Sequence, residues 1–205
     1  MWLFIVTTSY YVLLSLGFAV LDMLPLDHWK IRVRDRSEPY WSGVRQVIEN
    51  LILVNLPLCL LYDWMYDQTI VCPSIYGVLW QLFCFVVVEE VCFYGLHRLF
   101  HTKVLYRFHK IHHEWKAPVA YTAIYAHPLE HFVVNLLPSI LVPVCMSIHY
   151  DVMLCFLFLM ITNTLLVHSG YAWTSGVRHH DAHHERFNVN YGITGWMDYL
   201  FGTSL

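Results

Sequence analysis

Most of the fourteen histidines in this 205-residue chain stand in three runs: His97-x-x-x-His101, His109-x-x-His112-His113 and His179-His180-x-x-His183-His184. Neutral imidazole is the commonest metal ligand among side chains. Positions i, i+3 and i+4 share one side of a helix. His109, His112 and His113 are therefore expected to aim three rings at a common volume, as are His180, His183 and His184. His97 and His101, four apart, add a pair. A lone histidine is ordinarily a hydrogen-bonded or solvated side chain, but so many at ligand spacing imply coordinated metal. Without His179, which stands outside the HxxHH spacing, the eight imidazoles of these runs exceed the four ligands of a structural zinc and fit two ions in one pocket. No cysteine lies near a run, and the zinc-protease pattern HExxH is absent, since His113-Glu114 is followed by Trp115, Lys116 and Ala117. Imidazole suits zinc, copper, iron and nickel. Two irons held by imidazole alone would keep positions open for dioxygen, so iron is the expected metal; zinc and copper are compatible with the same donors.

The elements that must position these rings are membrane helices. The chain is 58% hydrophobic and 13% charged, which places it in the membrane class. A net charge of −3 gives no nucleic-acid footprint. Five apolar stretches follow one another: Met1–Leu21, Ile48–Tyr62, Ile70–Val88, Phe132–Ile148 and Val152–Val167. A spanning helix needs about 20 residues. The first stretch carries no charge and reads as a span rather than a cleaved leader, because it has no basic start and no small-residue cleavage site. The second is short and fits either a span or a re-entrant segment, which leaves four or five membrane helices. The fourth and fifth are separated only by His149-Tyr150-Asp151, which implies a helical hairpin. The expected fold is thus all-α, a multipass helical bundle forming one integral-membrane domain over residues 1–205, with a histidine-rich di-metal cap. All twelve Lys and Arg lie within Lys30–Arg45, Arg98–Lys116 and Arg178–Arg186. The positive-inside rule puts these segments, and the three histidine runs, on the cytosolic side. The six cysteines form no CxxC pair and read as buried small hydrophobes.

Longer runs of residues carry a resemblance: His97-Arg98-Leu99-Phe100-His101, His109-Lys110-Ile111-His112-His113-Glu114, Tyr125-Ala126-His127-Pro128-Leu129-Glu130, His168-Ser169-Gly170-Tyr171, His180-Asp181-Ala182-His183-His184 and the ending Phe201-Gly202-Thr203. Over Glu89–Thr203 the chain resembles the fatty acid hydroxylase/sterol desaturase superfamily, and within it the carbon-4 methylsterol oxidase branch. The resemblance implies a non-haem di-iron monooxygenase of the endoplasmic reticulum membrane that hydroxylates or oxidises a lipid C–H bond with dioxygen, a sterol carbon-4 methyl first. It implies electrons from cytochrome b5 or an NAD(P)H-dependent reductase. The absence of a GxGxxG fingerprint for a nicotinamide or flavin agrees with an external donor.

It also adds His127 and His168 to the ligand set, giving His97, His101, His109, His112, His113, His127, His168, His180, His183 and His184. His131 and His179 are expected to lie outside it, and His28 and His149 to be bland. Four polar residues are candidates to orient ligands. Glu89 and Glu90 end an apolar stretch, where carboxylates are costly and suspect; they either orient an imidazole or are solvated at the interface. Asp181, inside the last run, is expected to orient a ligand. Asn163 either bonds a metal-bound water or its neighbouring helix. Trp115, Tyr121, Tyr125, Tyr171, Trp173, Trp196 and Tyr199 read as an interfacial belt or as the roof of a lipid channel. Other readings stand beside this one. A fatty acyl or sphingoid hydroxylase or desaturase would use the same centre. A metal transporter would place its site at the bilayer midplane, whereas the runs flank the apolar segments. A lipid-binding relative without catalysis would not need complete ligand runs.

Overall fold

The computed structural model describes residues 1–35, 40–66 and 69–205. Residues 36–39, within the basic segment Lys30–Arg45, and residues 67–68, within the turn Asp63–Thr69, lie outside the described residues. The described chain is helical, with one isolated bridge pairing Lys30 and Tyr171.

Five helices are long and apolar enough to cross a membrane: α1 (Trp2–Met23), α2 (Val44–Met65), α3 (Ile75–Phe100), α5 (Pro128–Cys145) and α6 (Tyr150–His168). The short helix α4 (Tyr106–His109) lies between α3 and α5, and α7 (Ser175–Arg186) and α8 (Trp196–Phe201) follow α6. The second apolar stretch therefore extends to a full 22-residue helix, and of the four or five helices expected the structure has five. Side chains on the outer faces are apolar and open, with Leu13 68%, Leu53 63% and Val144 71% exposed. That is the pattern of a bundle whose surroundings are lipid. The cysteines, expected inside, are free, and none is buried: Cys72, Cys145 and Cys155 are exposed and the others partly so. In a bilayer an outward thiol lies against apolar chains, so burial in protein is not required of it.

Two of the helices widen just before a proline. Residues Leu51–Asn55 of α2 and His131–Leu136 of α5 form wide turns with i→i+5 bonding. Each precedes a proline inside its helix, Pro57 and Pro138. A proline ring lacks an N–H and clashes with the carbonyl four residues before it, and a wide turn absorbs the misfit. The two wide turns face each other. The His131 Nε2–H donates to Asn55 Oδ1 at 2.7 Å, and Asn135 Nδ2 donates to His131 Nδ1 at 3.2 Å. His131 is thus a hydrogen-bonded interior residue.

The chain enters α1 at one end of the bundle, where the Met1 amino group pairs with Asp63 and Tyr150 Oη donates to Asp63 at 3.2 Å. The alternation of the five helices then puts the C-terminal ends of α1, α3 and α6 and the N-terminal ends of α2 and α5 together at the opposite end. All three histidine runs lie in or beside these ends. A short 3-10 helix, Ala120–Ile124, is packed inside this end, every residue buried. Backbone carbonyls at the end of a helix in such a place need internal donors. Asn50, fully buried on α2, supplies them, donating to the carbonyls of Ile124 at 2.8 Å and Ala126 at 2.9 Å.

Residues 29–32, at the start of the basic segment after α1, form a strap. Ile31 N donates to the Gly170 carbonyl at 2.9 Å and Ala172 N to that of Trp29 at 2.8 Å. Lys30 pairs with Asp22 at 2.6 Å, and Arg32 reaches Asp181 and Glu185 on α7, each at 2.9 Å. Asn50→Leu leaves two buried carbonyls without a donor. It is expected to lower stability by about 1–3 kcal/mol, read as a lower melting temperature in detergent with helical content retained. An unchanged melting temperature would mean that those carbonyls find another donor.

Candidate metal centre

Nine histidines converge at this end of the bundle in two groups. His97, His101, His109, His113 and His183 form one; His112, His168, His180 and His184 form the other. Within each group the ligand nitrogens all lie within 4.8 Å of one another. Each HxxHH run is split between the groups, which corrects the expectation of a common volume. His109 and His113 join the five-histidine group and His112 the other; His180 and His184 join the four-histidine group and His183 the other. On a helix, i+4 lies 40° to one side of i and i+3 lies 60° to the other. The i, i+4 pair therefore stays together while the i+3 ring diverges. α7 carries this geometry on one helix. His109 ends α4, and His112 and His113 sit in the following tight turn, His112–Glu114.

The orientation of the rings identifies what the groups can hold. In five of the nine rings Nδ1 bonds outward. His97 Nδ1 meets the Tyr191 carbonyl at 2.7 Å, His183 Nδ1 that of Val189 at 2.8 Å, His112 Nδ1 that of Tyr125 at 3.2 Å and His168 Nδ1 that of Thr164 at 2.8 Å. His109 Nδ1 meets Glu130 Oε1 at 2.6 Å. A carbonyl only accepts, so the four rings facing one must carry their protons on Nδ1; with Glu130 ionised, the same holds for His109. Their Nε2 atoms then present lone pairs, and these face one another: His97 to His109 at 3.2 Å, and His168 to His112 at 3.3 Å. Two lone pairs at that distance repel unless a cation lies between them. With metal–nitrogen bonds of about 2.1 Å, two nitrogens at right angles around one ion stand about 3 Å apart, so the donor set fits two metal ions.

Burial keeps the rings neutral and ready. It pushes His101 down to about 2, with His109 and His183 adding to the effect, and it pushes His109 and His183 each to about 3. His113, His180 and His184 are lowered by burial and then by their neighbouring imidazoles.

The remaining candidates fall elsewhere. His127 stands outside both groups: it caps α5, its Nδ1 accepting from Leu129 N at 3.1 Å, and its ring lies against Phe108. A proline at the first helical position follows it, and that capping geometry turns the imidazole away. His179 is also outside, facing Asp198 at 3.4 Å. Asp181 orients no histidine but pairs with Arg32, tying α7 to the strap. Glu90 is fully buried and accepts from the backbone N–H groups of Ile193, Thr194, Gly195 and Met197 at 2.7–3.2 Å. It therefore anchors the segment whose Val189 and Tyr191 carbonyls hold His183 and His97. Asp198 does the same from the other side, accepting from Tyr191 N at 2.8 Å and Gly192 N at 2.7 Å. A Cβ on Gly192 would lie 2.5 Å from Glu90 Oε1, so the two carboxylates can close on the chain there only around glycine. Glu89, beside Glu90, faces a cavity instead and accepts from Ser139 Oγ. Asn163 lines the same cavity, which extends from His97, His112 and His168 into the bundle. Of the aromatics, Trp115, Tyr121 and Tyr125 pack with Tyr40 around Ala120–Ile124, while Tyr199 is 84% exposed.

Glu130 and Asp198 were not among the candidates read from the sequence. Glu130 had a signal, a carboxylate at the edge of an apolar stretch within a matching run. Asp198 had none, because its role depends on a turn.

Two outcomes test this geometry. The folded values of the rings lie below the ordinary 6.5, so the unfolded chain takes up protons first on acidification. Stability of the metal-free protein is thus present above about pH 6.5 and is lost as pH falls toward about 3; a melting temperature that rises on acidification would contradict neutral rings. Glu130→Gln is expected to weaken metal binding about 10–100-fold in a competition titration with a chelator. In the same titration His127→Ala is expected to match the unaltered protein.

The Fatty acid hydroxylase family matches residues 82–203. Fatty acid hydroxylase domain-containing protein 2 of Macaca fascicularis is 35% identical over 187 residues, 87% of this chain and 54% of that protein. Methylsterol monooxygenase 1 of Rattus norvegicus is 31% identical over 98% of this chain and 75% of its own length. A C-4 methylsterol oxidase of Schizosaccharomyces pombe is 31% identical over 90% of this chain and 69% of its own. The chain spans about half the length of the fatty acid hydroxylase domain-containing relatives. No solved structure matches. With its histidine runs inside the matched region, the chain belongs to the fatty acid hydroxylase family.

Proposed function

We propose that this protein is a membrane oxygenase that oxidises an unactivated C–H bond of a lipid, a sterol carbon-4 methyl group first, with two iron ions in its histidine groups. The observation that carries the reading is the pair of converging sets of neutral imidazoles beside a cavity that runs into an apolar bundle. The names of the relatives, methylsterol monooxygenase and C-4 methylsterol oxidase, support the substrate class. His97, His101, His109, His113 and His183 would hold one ion, and His112, His168, His180 and His184 the other. Bound iron would supply the redox chemistry that activates dioxygen, which side chains alone lack.

The chain's own contribution is orientation and enclosure. Backbone carbonyls of Thr164, Tyr125, Val189 and Tyr191 hold the imidazole protons on Nδ1. Glu130 does so for His109, raising the basicity of that ring. The cavity keeps the reacting C–H bond away from bulk water. Electrons would come from cytochrome b5 or an NAD(P)H-dependent reductase docking at the histidine end, which carries the basic segments and would face the cytosol from the endoplasmic reticulum membrane. A fatty acyl substrate is the second reading, favoured by the fatty acid hydroxylase relatives. A transport site at the bilayer midplane is disfavoured, because both groups lie at the end of the bundle.

The test is the metal content and activity of detergent-purified protein from iron-supplemented cells. About two irons per chain are expected, with oxidation of a 4-methylsterol when an electron donor is added. His112→Ala and His183→Ala, one in each group, are each expected to lose metal and abolish turnover while the bundle stays folded. Full activity in either variant, or folded protein without metal, would overturn the proposal. Two irons with oxidation of an acyl lipid alone would select the second reading.

A further inference from the structure

The wall of the cavity carries a polar site that the histidine groups do not use. Glu89 lies on α3 two helical turns before His97, with Phe93 one turn between them, and all three line the cavity. Glu89 is only 2% exposed. Its Oε1 accepts from Ser139 Oγ on α5, while its Oε2 is buried with no hydrogen-bond partner among the described residues. The side chains around it are largely apolar, with Val134, Leu157 and Met160 on the facing walls. A carboxyl group inside a membrane bundle is costly unless it has a partner, and one left half-bonded beside a cavity needs a group from what enters it.

We propose that Glu89, held in place by Ser139, binds the hydroxyl group of the lipid substrate, so that the lipid oxidised here is an alcohol. A hydroxyl is the group that fits best, because it both donates and accepts. It donates to the unpartnered Oε2 of an ionised Glu89, while the single Ser139 O–H stays on Oε1. An ether or ester oxygen only accepts, and a hydrocarbon chain does neither. The carbon skeleton then lies along Phe93 on the same stripe of α3, toward the histidines. This assignment rests on the oxygenase reading for the cavity as the substrate chamber. It selects within that reading, favouring free sterols and long-chain alcohols over acyl thioesters.

The experiment is equilibrium binding to the full chain in detergent with its metal in place. The probes are two matched pairs: a 3-hydroxysterol and its 3-methyl ether, and hexadecanol and its methyl ether. The unaltered protein is expected to bind each alcohol about tenfold or more tightly than its ether, the loss that follows from leaving a buried polar group unpaired. Glu89→Leu is expected to abolish that preference without weakening the ethers, and Glu89→Gln, which keeps an acceptor, to restore part of it. Metal content measured on each variant shows that the centre is intact; should Glu89→Leu fail to fold, Glu89→Met carries the test. Equal binding of alcohol and ether by the unaltered protein, or a preference kept in metal-loaded Glu89→Leu or Glu89→Met, would overturn the proposal. Binding does not depend on turnover. A hydroxyl preference without lipid oxidation would therefore defeat the oxygenase reading alone, and oxidation without a preference would defeat this one alone.

Discussion

The structure depends on where nine imidazoles keep their protons. A neutral ring has one N–H and one lone pair, and the protein decides which nitrogen has which by placing an acceptor beside Nδ1. Four rings face backbone carbonyls and a fifth faces Glu130. The lone pairs on their Nε2 atoms then point into two small volumes, as close as 3.2 Å between His97 and His109. Without a cation this is an unfavourable arrangement, and with one it is a coordination sphere. Burial reinforces the choice by disfavouring protonated rings.

The outer acceptors need supports of their own, and the buried carboxylates supply them. Glu90 and Asp198 together receive the N–H groups of the chain on either side of Gly192. This fixes the carbonyls of Val189 and Tyr191 against rings from two different helices, α7 and α3. The left-handed backbone of Phe187 and Asn190 turns the chain sharply enough to bring those carbonyls back. On the other side, the Arg32 strap holds α7 through Asp181 and Glu185. Charged residues that look in the sequence like surface or ligand groups thus form the frame around the rings.

The bundle below has a different task. Its outward faces are apolar, while its interior carries Asn50, Asn55, Glu89 and His131, which a membrane protein tolerates only where protein or a cavity surrounds them. Two prolines widen α2 and α5 at the level where Asn55 meets His131. The cavity passes this region between the polar wall of α5 and the apolar side chains of α6. Shape and hydrogen-bonding groups within the bundle, rather than the histidines, are what decide which molecules the cavity accepts.

Much of this was legible in the sequence. The apolar stretches gave the membrane helices, because length and hydropathy are local properties. The spacing of His97 with His101 and the two HxxHH runs pointed to clustered imidazoles at ligand spacing, because helical periodicity alone brings the i and i+4 rings near one another. The alternation of spans and the placement of Lys and Arg put the runs at one end. The tertiary structure decided the rest. It divided each HxxHH run between two groups, since i+3 and i+4 diverge by 100° and only the opposing helices determine which volume each ring meets. It set His127 apart as a helix cap, and it gave Asp181 to Arg32. It made Glu90 and Asp198 the anchors of the last segment and Glu130 the partner of His109. These are contacts between residues distant in the chain, many of them to backbone carbonyls and N–H groups that every residue carries, so no residue type or spacing announces them.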